Sequence, residues 1–393
     1  METSSASAIL KKAQIVGVLE RICQELELTN AQFEIAKARY EAVGKWLTSA
    51  DGPLLQEAEI YPQGSVGLGT TVRPLYQQEY DVDLVSLHPN ISPAVSPDWL
   101  KRVVGDRLRL NGQYRDILEE KPRCWRLNYA NEFHLDITPS IPNPTCSRGG
   151  ELVPEKERPE WKPSNPRGYR AWFEERASYE PQFNLAKAAL SEIRAQVESL
   201  PEPTNFKGLL RRSVQLCKRH RDVWFSTRKP QLAPVSIVIT TLAAQSYAHS
   251  VANFTYDTEL DLFLDVVRQM PSFIERRKLG GEEHYFVWNE TTSGENFAEK
   301  WNLEPRLAQA FLTWQSSAIV DFEGLVALTG LDQIGKNLSL SLGERPVNKA
   351  LRAATLAIGS ARAGGRLSAI PRVGLSMGKS PGVAVRANTF FGR

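Results

Sequence analysis

Cysteine is scarce, with four residues in 393, and its spacing excludes more than it offers. Cys23, Cys124, Cys146 and Cys217 form no Cys-x-x-Cys pair and have no histidine at zinc-finger spacing, which argues against a structural zinc. The opening residues Met-Glu-Thr-Ser-Ser-Ala lack the basic start and apolar run of a secretory signal, so reduced thiols and a cytoplasmic location are expected. No long hydrophobic run is present: the least charged stretch, Pro230 to Tyr256, holds proline, glutamine, histidine and hydroxyls, which suits a buried helix better than a bilayer, and no membrane partner is expected. Strong net charge is missing too. At +3, the chain is not one whose main task is coating nucleic acid. No internal repeat is visible.

What charge there is falls unevenly. From Pro346 to Arg393 there are eight basic residues and no acid, so against the overall +3 the remainder of the chain stands at −5. With 42% hydrophobic and 24% charged residues the composition is that of a globular protein, and its length calls for more than one packed core. Ile15, Val18, Leu19, Ile22, Cys23 and Leu26 recur at helical spacing, and Thr29 or Asn30 is placed to cap a second helix. Short β-prone runs follow at Asp81 to Leu87, Pro122 to Tyr129 and Glu132 to Thr138, the last two forming a hairpin. Six prolines between Pro142 and Pro166 predict an irregular wrap or linker. Helices are then expected over Ala171 to Leu200, Phe206 to Phe225, Pro234 to Ser250, Leu260 to Phe273 and within Phe297 to Val326. The expected organisation is a helical segment and α/β core over 1–180, a helical lobe over 181–345, and a basic, loosely held tail over 346–393.

The chemistry concentrates in one order of motifs. Gln63-Gly64-Ser65-Val66-Gly67-Leu68-Gly69-Thr70-Thr71 precedes Asp81-Val82-Asp83-Leu84. A turn rich in glycine and hydroxyls lets main-chain N–H groups approach phosphate oxygens. In a strand, Asp81 and Asp83 share one face while Val82 and Leu84 share the other. Carboxylates roughly 6 to 7 Å apart along a strand repel each other, a cost that a divalent cation between them removes. Magnesium takes carboxylate, triphosphate and water oxygens, and two-metal transfer uses a pair of such ions. A third acid is available in the alternating run Phe133-His134-Leu135-Asp136-Ile137, where Asp136 opposes the apolar positions. An isolated Asp-x-Asp is most often a solvated strand face. The linkage of Gly-Ser, Asp-x-Asp about 16 residues on and a further strand aspartate about 50 residues later favours a metal site. His134 reads as an ordinary hydrogen-bonded strand histidine, and Tyr247, Trp288 and Trp301 read as core aromatics rather than base-stacking platforms.

At these residues the sequence resembles the DNA polymerase beta nucleotidyltransferase superfamily, and more closely the bacterial relatives of cyclic GMP-AMP synthase and oligoadenylate synthase. Gly64-Ser65, Asp81, Asp83 and Asp136 match that family's Gly-Ser, paired-acid and third-acid positions. Trp161-Lys162-Pro163-Ser164-Asn165-Pro166, Leu216 to Asp222, Pro234 to Ile237 and Glu295 to Trp301 are similar to signatures of these enzymes' helical lobe. The resemblance implies an α+β fold, with a polymerase-beta-like palm sheet and helices joined to a mostly helical C-terminal lobe. It implies two Mg2+ ions, or Mn2+ in their place, on Asp81, Asp83 and Asp136. It also implies nucleoside triphosphates (ATP, GTP, UTP or CTP) as substrates, and contact of the donor triphosphate with Lys218 and Ser236.

Such enzymes make cyclic or linear oligonucleotide messengers on phage infection, and the messenger activates a separate effector; no nucleic-acid partner is required. Lys218 has independent support, since Arg211, Gln215, Lys218 and Asp222 form a polar stripe beside Leu210, Val214 and Cys217. The bland alternatives are a solvent-facing charge for Lys218 and a helix cap for Ser236. The near-terminal Gly392 resembles the end through which some relatives are attached to a target by a ubiquitin-like system, although Arg393 departs from a bare terminal glycine. Two rival readings stand beside synthesis of a messenger. One is transfer of a nucleotide to tRNA, protein or an antibiotic; the other is a non-catalytic nucleotide-binding scaffold.

Overall fold

The computed structural model describes residues 2–49, 53–75, 80–130, 133–155, 159–184, 207–370, 374–376 and 383–385. Gly392 and Arg393, the hairpin turn at 131–132 and the expected helix beyond 184 lie outside them. Two helices open the chain, α1 (Glu2–Leu26) and α2 (Asn30–Thr48). Between them Thr29 forms a capping box: its hydroxyl accepts from Gln32 N at 3.3 Å, and the Gln32 side chain accepts from Thr29 N at 3.1 Å.

The chain folds into two compact units, one made of residues 27–175 and 284–300, the other of 1–26, 176–283 and 301–393. The linear partition at 180 and 345 therefore gives way to an interleaved one.

The first unit is built on a mixed sheet. Its strands are β1 (Glu59–Gln63), β2 (Tyr80–Leu87), β3 (Leu118–Glu120), β4 (Trp125–Tyr129) and β5 (Phe133–Pro142), in the spatial order β1-β2-β5-β4-β3. β2 and β5 run parallel; the other neighbours in that path are antiparallel. Period-two alternation buries Tyr80, Val82 and Leu84, Trp125 and Leu127, and Phe133, Leu135 and Ile137 in one core. That core packs on α2, helix α3 (Pro53–Gln56) and helix α5 (Pro97–Arg109), through Val43, Leu47, Leu55, Val104 and Leu108. A short α4 (Gly64–Leu68) joins β1 to the segment before β2, and α6 (Gly112–Arg115) precedes β3.

The proline-rich stretch is more regular than the sequence predicts. β6 (Glu151–Pro154) pairs with the end of β5, and β7 (Trp161–Ser164) pairs with β6. Prolines fit because β7 is an edge strand, where a missing N–H costs no ladder bond on the outer side. Asn165 then fixes the start of α7 (Pro166–Ala177): its side chain accepts from Gly168 N at 2.9 Å and donates to Thr291 O at 2.8 Å. The motifs Trp161 to Pro166 and Glu295 to Lys300, expected in the helical lobe, therefore belong to the sheet unit. Lys162 also pairs with Glu299 at 2.6 Å.

Within β6, Glu151 is 2% exposed, accepting from Ser140 at 2.6 Å and from the Tyr61 hydroxyl. Burial raises its pKa, and the Ser140 and Tyr61 donors offset that only in part. A carboxyl raised on folding contributes stability below the ordinary glutamate range and loses it as pH climbs through the folded value. Glu151→Gln, which cannot ionise, is expected to show a flatter Tm profile than wild type, gaining on it from about pH 4.5 to neutral. Parallel profiles from differential scanning calorimetry would refute this.

The second unit is mostly helical: α1 with α8 (Leu209–Ser226), α9 (Ser236–Asn253), α10 (Glu259–Gln269), α11 (Arg306–Gly324), α12 (Leu331–Leu342) and α13 (Glu344–Ala363). α8 packs against α1, α9, α10, α11 and α12 and is buried nearly all round. Its charges are therefore paired. Arg212 forks onto Glu20 at 2.5 and 2.8 Å, Arg219 donates to Leu342 O at 2.7 Å, and His220 lies between Trp314 Nε1 and Asp321.

The stretch from Glu275 to Phe286, for which the sequence made no prediction, forms a hairpin. One expectation is corrected here. The basic tail is not loose over 346–363: α13 buries Val347, Ala350, Ala354 and Ala361, and Lys349 pairs with Glu25 of α1 at 3.2 Å. Among the described residues no helix is long and apolar enough to cross a membrane.

Candidate active site

The face of the sheet opposite the core collects the acids. Asp83 of β2 is the register partner of Asp136 of β5, and Asp81 is the partner of His134. Partnered residues on adjacent strands point to the same face, so Asp81, Asp83 and Asp136 stand together, opposite the core side chains Val82, Leu84, Leu135 and Ile137. Burial agrees: Val82 and Leu135 are enclosed, Asp83 and Asp136 are half-buried, and Asp81 is exposed.

Gly64 closes on this cluster from β1. Gln63 is in register with Asp83, and Gly64 begins α4 at φ 62°, in the left-handed region. A β-carbon there would stand 2.4 Å from Asp83 Oδ2, so only glycine lets the main chain reach this close to the carboxylate. Ser65 follows within α4, its carbonyl accepting from Thr70 N at 2.9 Å. The glycine-hydroxyl segment is thus a tight helical turn rather than an open loop.

Sequence reasoning missed Arg126. It lies on β4 in register with Asp136; its Nε and Nη2 donate to Oδ1 and Oδ2 of Asp136 at 2.6 and 2.7 Å, and Nη2 reaches Asp81 Oδ1 at 3.3 Å. The hydrogen bonds it donates to Asp136 hold the guanidinium pKa above its already high value. Cys124, near Asp136, has its thiol pushed up to about 12, by burial first and by that carboxylate second, and is no nucleophile at neutral pH. The signal for Arg126 was present: a hairpin turning about residue 131 sets Arg126 opposite Asp136.

The chemistry of this face suits a hard divalent cation, since it gathers three carboxylates and a guanidinium stands in as the local positive charge. The geometry is not ready-made. Among the described residues no three acids, histidines or cysteines are set to hold a metal, and both oxygens of Asp136 are engaged by Arg126.

Lys218 and Ser236 are both in the helical unit. Lys218 is 6% exposed on α8, so the solvent-facing alternative does not describe it. Val235, not Ser236, occupies the N-cap of α9. The Ser236 hydroxyl accepts from Arg221 at 3.2 Å, and Arg221 also donates to Pro234 O at 2.6 Å. Of the aromatics, Tyr247 and Trp301 are buried, Tyr247 donating to Tyr179 O at 2.8 Å, and Trp288 stacks on Phe286 at 4.9 Å.

Comparison with known proteins finds relatives in sequence and in fold. Residues 14–177 match the Second Messenger Oligonucleotide or Dinucleotide Synthetase domain. A c-di-GMP synthase of Roseivirga ehrenbergii is 29% identical over 97% of this chain and 98% of its own. The cyclic dinucleotide synthase CdnG of Bradyrhizobium diazoefficiens is 28% identical over 56% of this chain and 55% of its own. The solved structure of the B. diazoefficiens CD-NTase CdnG in complex with GTP shares the fold, with a TM-score of 0.64 at 20% identity, covering 87% of this chain and 99% of that one. In sequence and in fold the chain is thus similar to the bacterial cyclic GMP-AMP synthase-like nucleotidyltransferases, of which the named relatives are cyclic dinucleotide synthases.

Proposed function

We propose that Asp81, Asp83 and Asp136 carry the metal-dependent chemistry of this nucleotidyltransferase and that GTP is its first substrate, giving a cyclic guanine dinucleotide. The observation that carries the site is the register pairing of Asp83 with Asp136, with Asp81 on the same face and Gly64 closed against Asp83. The guanine preference rests on the full-length similarity to the synthase named for c-di-GMP.

Bound Mg2+ or Mn2+ would lower the pKa of the attacking ribose hydroxyl and neutralise the triphosphate. Asp83 and Asp136 hold their carboxylates across two adjacent strands, so the acceptor and donor ends are fixed by one rigid sheet rather than by loops. Gly64 keeps the approach to Asp83 free of side-chain bulk. The assignment of Lys218 and Ser236 to the donor triphosphate rests on the family resemblance alone. In each transfer the ribose hydroxyl oxygen bonds to the α-phosphorus as the bond to the β-phosphate bridging oxygen breaks. The hydroxyl proton is lost to solvent, and two GTP thus give one cyclic dimer and two pyrophosphates. A messenger-binding effector is the consumer of such a product.

The test is incubation of the pure protein with each labelled triphosphate and Mg2+ or Mn2+, followed by phosphatase treatment and mass spectrometry. A phosphatase-resistant guanine dimer formed without added acceptor is expected. Label found only on added tRNA, protein or antibiotic would overturn the synthase reading, and a resistant product lacking guanine would overturn the choice of GTP.

A further inference from the structure

Arg126 has no part in the chemistry described above, yet it is the most tightly engaged side chain on the acidic face. Its fork spans both oxygens of Asp136 at 2.6 and 2.7 Å and touches Asp81 at 3.3 Å. The side chains of Arg126 and Asp136 are only 22% and 14% exposed, so solvent screens their attraction weakly. Three carboxylates gathered on one face need a positive charge, and in a protein without a bound ion the nearest one is this guanidinium. A planar fork on both oxygens also fixes the direction of Asp136, which a single lysine-like contact would not do.

We propose that Arg126 is the internal cation of the metal-free enzyme, and that it must release Asp136 before a divalent ion can be held by the three aspartates. Arg126 is in this sense a positioning residue, acting through Asp136. The proposal rests on the metal-site reading and adds a competition to it: guanidinium and metal seek the same carboxylate, and their positive charges repel at that range. Metal affinity is then set partly by how readily the fork opens. The fork that stabilises the metal-free protein is the interaction given up when the site fills.

Titration with Mn2+ alone, without nucleotide, followed by calorimetry or by the electron paramagnetic resonance signal of free Mn2+, tests this. Arg126→Gln should bind Mn2+ about tenfold more tightly than wild type and, before metal is added, should melt at a lower temperature. Arg126→Lys keeps the charge without the fork and should stay closer to wild type in affinity, which also serves if the glutamine variant does not fold. Unchanged or weaker binding in Arg126→Gln, or equal tightening in Arg126→Lys, overturns the competition. Asp83→Asn is the control for the site itself. If that variant binds Mn2+ as wild type does, the metal-site reading fails, and the proposal with it. If it loses binding while Arg126→Gln binds no tighter than wild type, only the role of Arg126 fails.

Discussion

Asp83→Asn is expected to lower the rate of nucleotide joining by about three powers of ten or more while leaving the fold intact. Asp83 sits amid the cluster: Asp81 precedes it on the same face, Asp136 stands across in register, and a β-carbon on Gly64 would be 2.4 Å from its oxygen. Losing one full negative charge there removes several kcal/mol of stabilisation from a transition state built on divalent ions, which corresponds to the factor given. Stability should move the other way. Asp83 and Asp136 are like charges on strands about 4.8 Å apart, an arrangement that costs free energy in the absence of metal. The asparagine variant should therefore melt no lower than wild type, and slightly higher at low ionic strength. Product assays alongside circular dichroism melts read both quantities. Full activity in a folded variant would remove Asp83 from the site.

The second large effect is expected at Gly64. An alanine there meets two independent obstacles, the left-handed backbone at φ 62° and the Asp83 oxygen 2.4 Å from the added carbon. The first costs about 1–2 kcal/mol for an L-residue. The second is relieved only by moving the Asp83 carboxylate, and a displacement on the order of 1 Å in a positioned group lowers rates by about a hundredfold. Gly64→Ala should thus lose both stability and activity, in contrast to Asp83→Asn, which loses activity alone. Gly112→Ala is a fair comparison: nothing lies within 4 Å of its added carbon, and it should keep its activity. Gly64→Ala with unimpaired turnover would mean that the turn does not position Asp83.

The parts of the site that follow strand periodicity were legible in the sequence. Alternation in Asp81-Val82-Asp83 and His134-Leu135-Asp136 assigns every residue to its observed face, because a half-buried strand leaves little freedom once its apolar positions are known. Parallel pairing of β2 with β5, which aligns Asp83 with Asp136, is a long-range fact that no local pattern encodes. Arg126 escaped notice because a strand arginine on a polar face reads as solvated; only the hairpin register shows what it faces. The placement of Trp161 to Pro166 depends on Asn165 bonding to Thr291, 126 residues away, and nothing periodic announces such a bond. α13 was missed for a different reason. Its buried face is mostly alanine, and small residues carry little hydrophobic signal even when they pack tightly.

The interleaving of the two units has a consequence for how the protein is made. The sheet unit draws its last piece, His284–Lys300, from beyond the first helices of the other unit, and Thr291 in that piece completes the hydrogen bonds of Asn165. A nascent chain emerging from the ribosome therefore cannot finish the catalytic sheet's surroundings when residue 175 appears. It must wait until residue 300, after much of the helical unit has been synthesised. Catalytic competence would thus arrive late in translation, and a truncated product ending at Glu175 would carry all three aspartates while still lacking the segment whose Thr291 accepts from Asn165 at the start of α7.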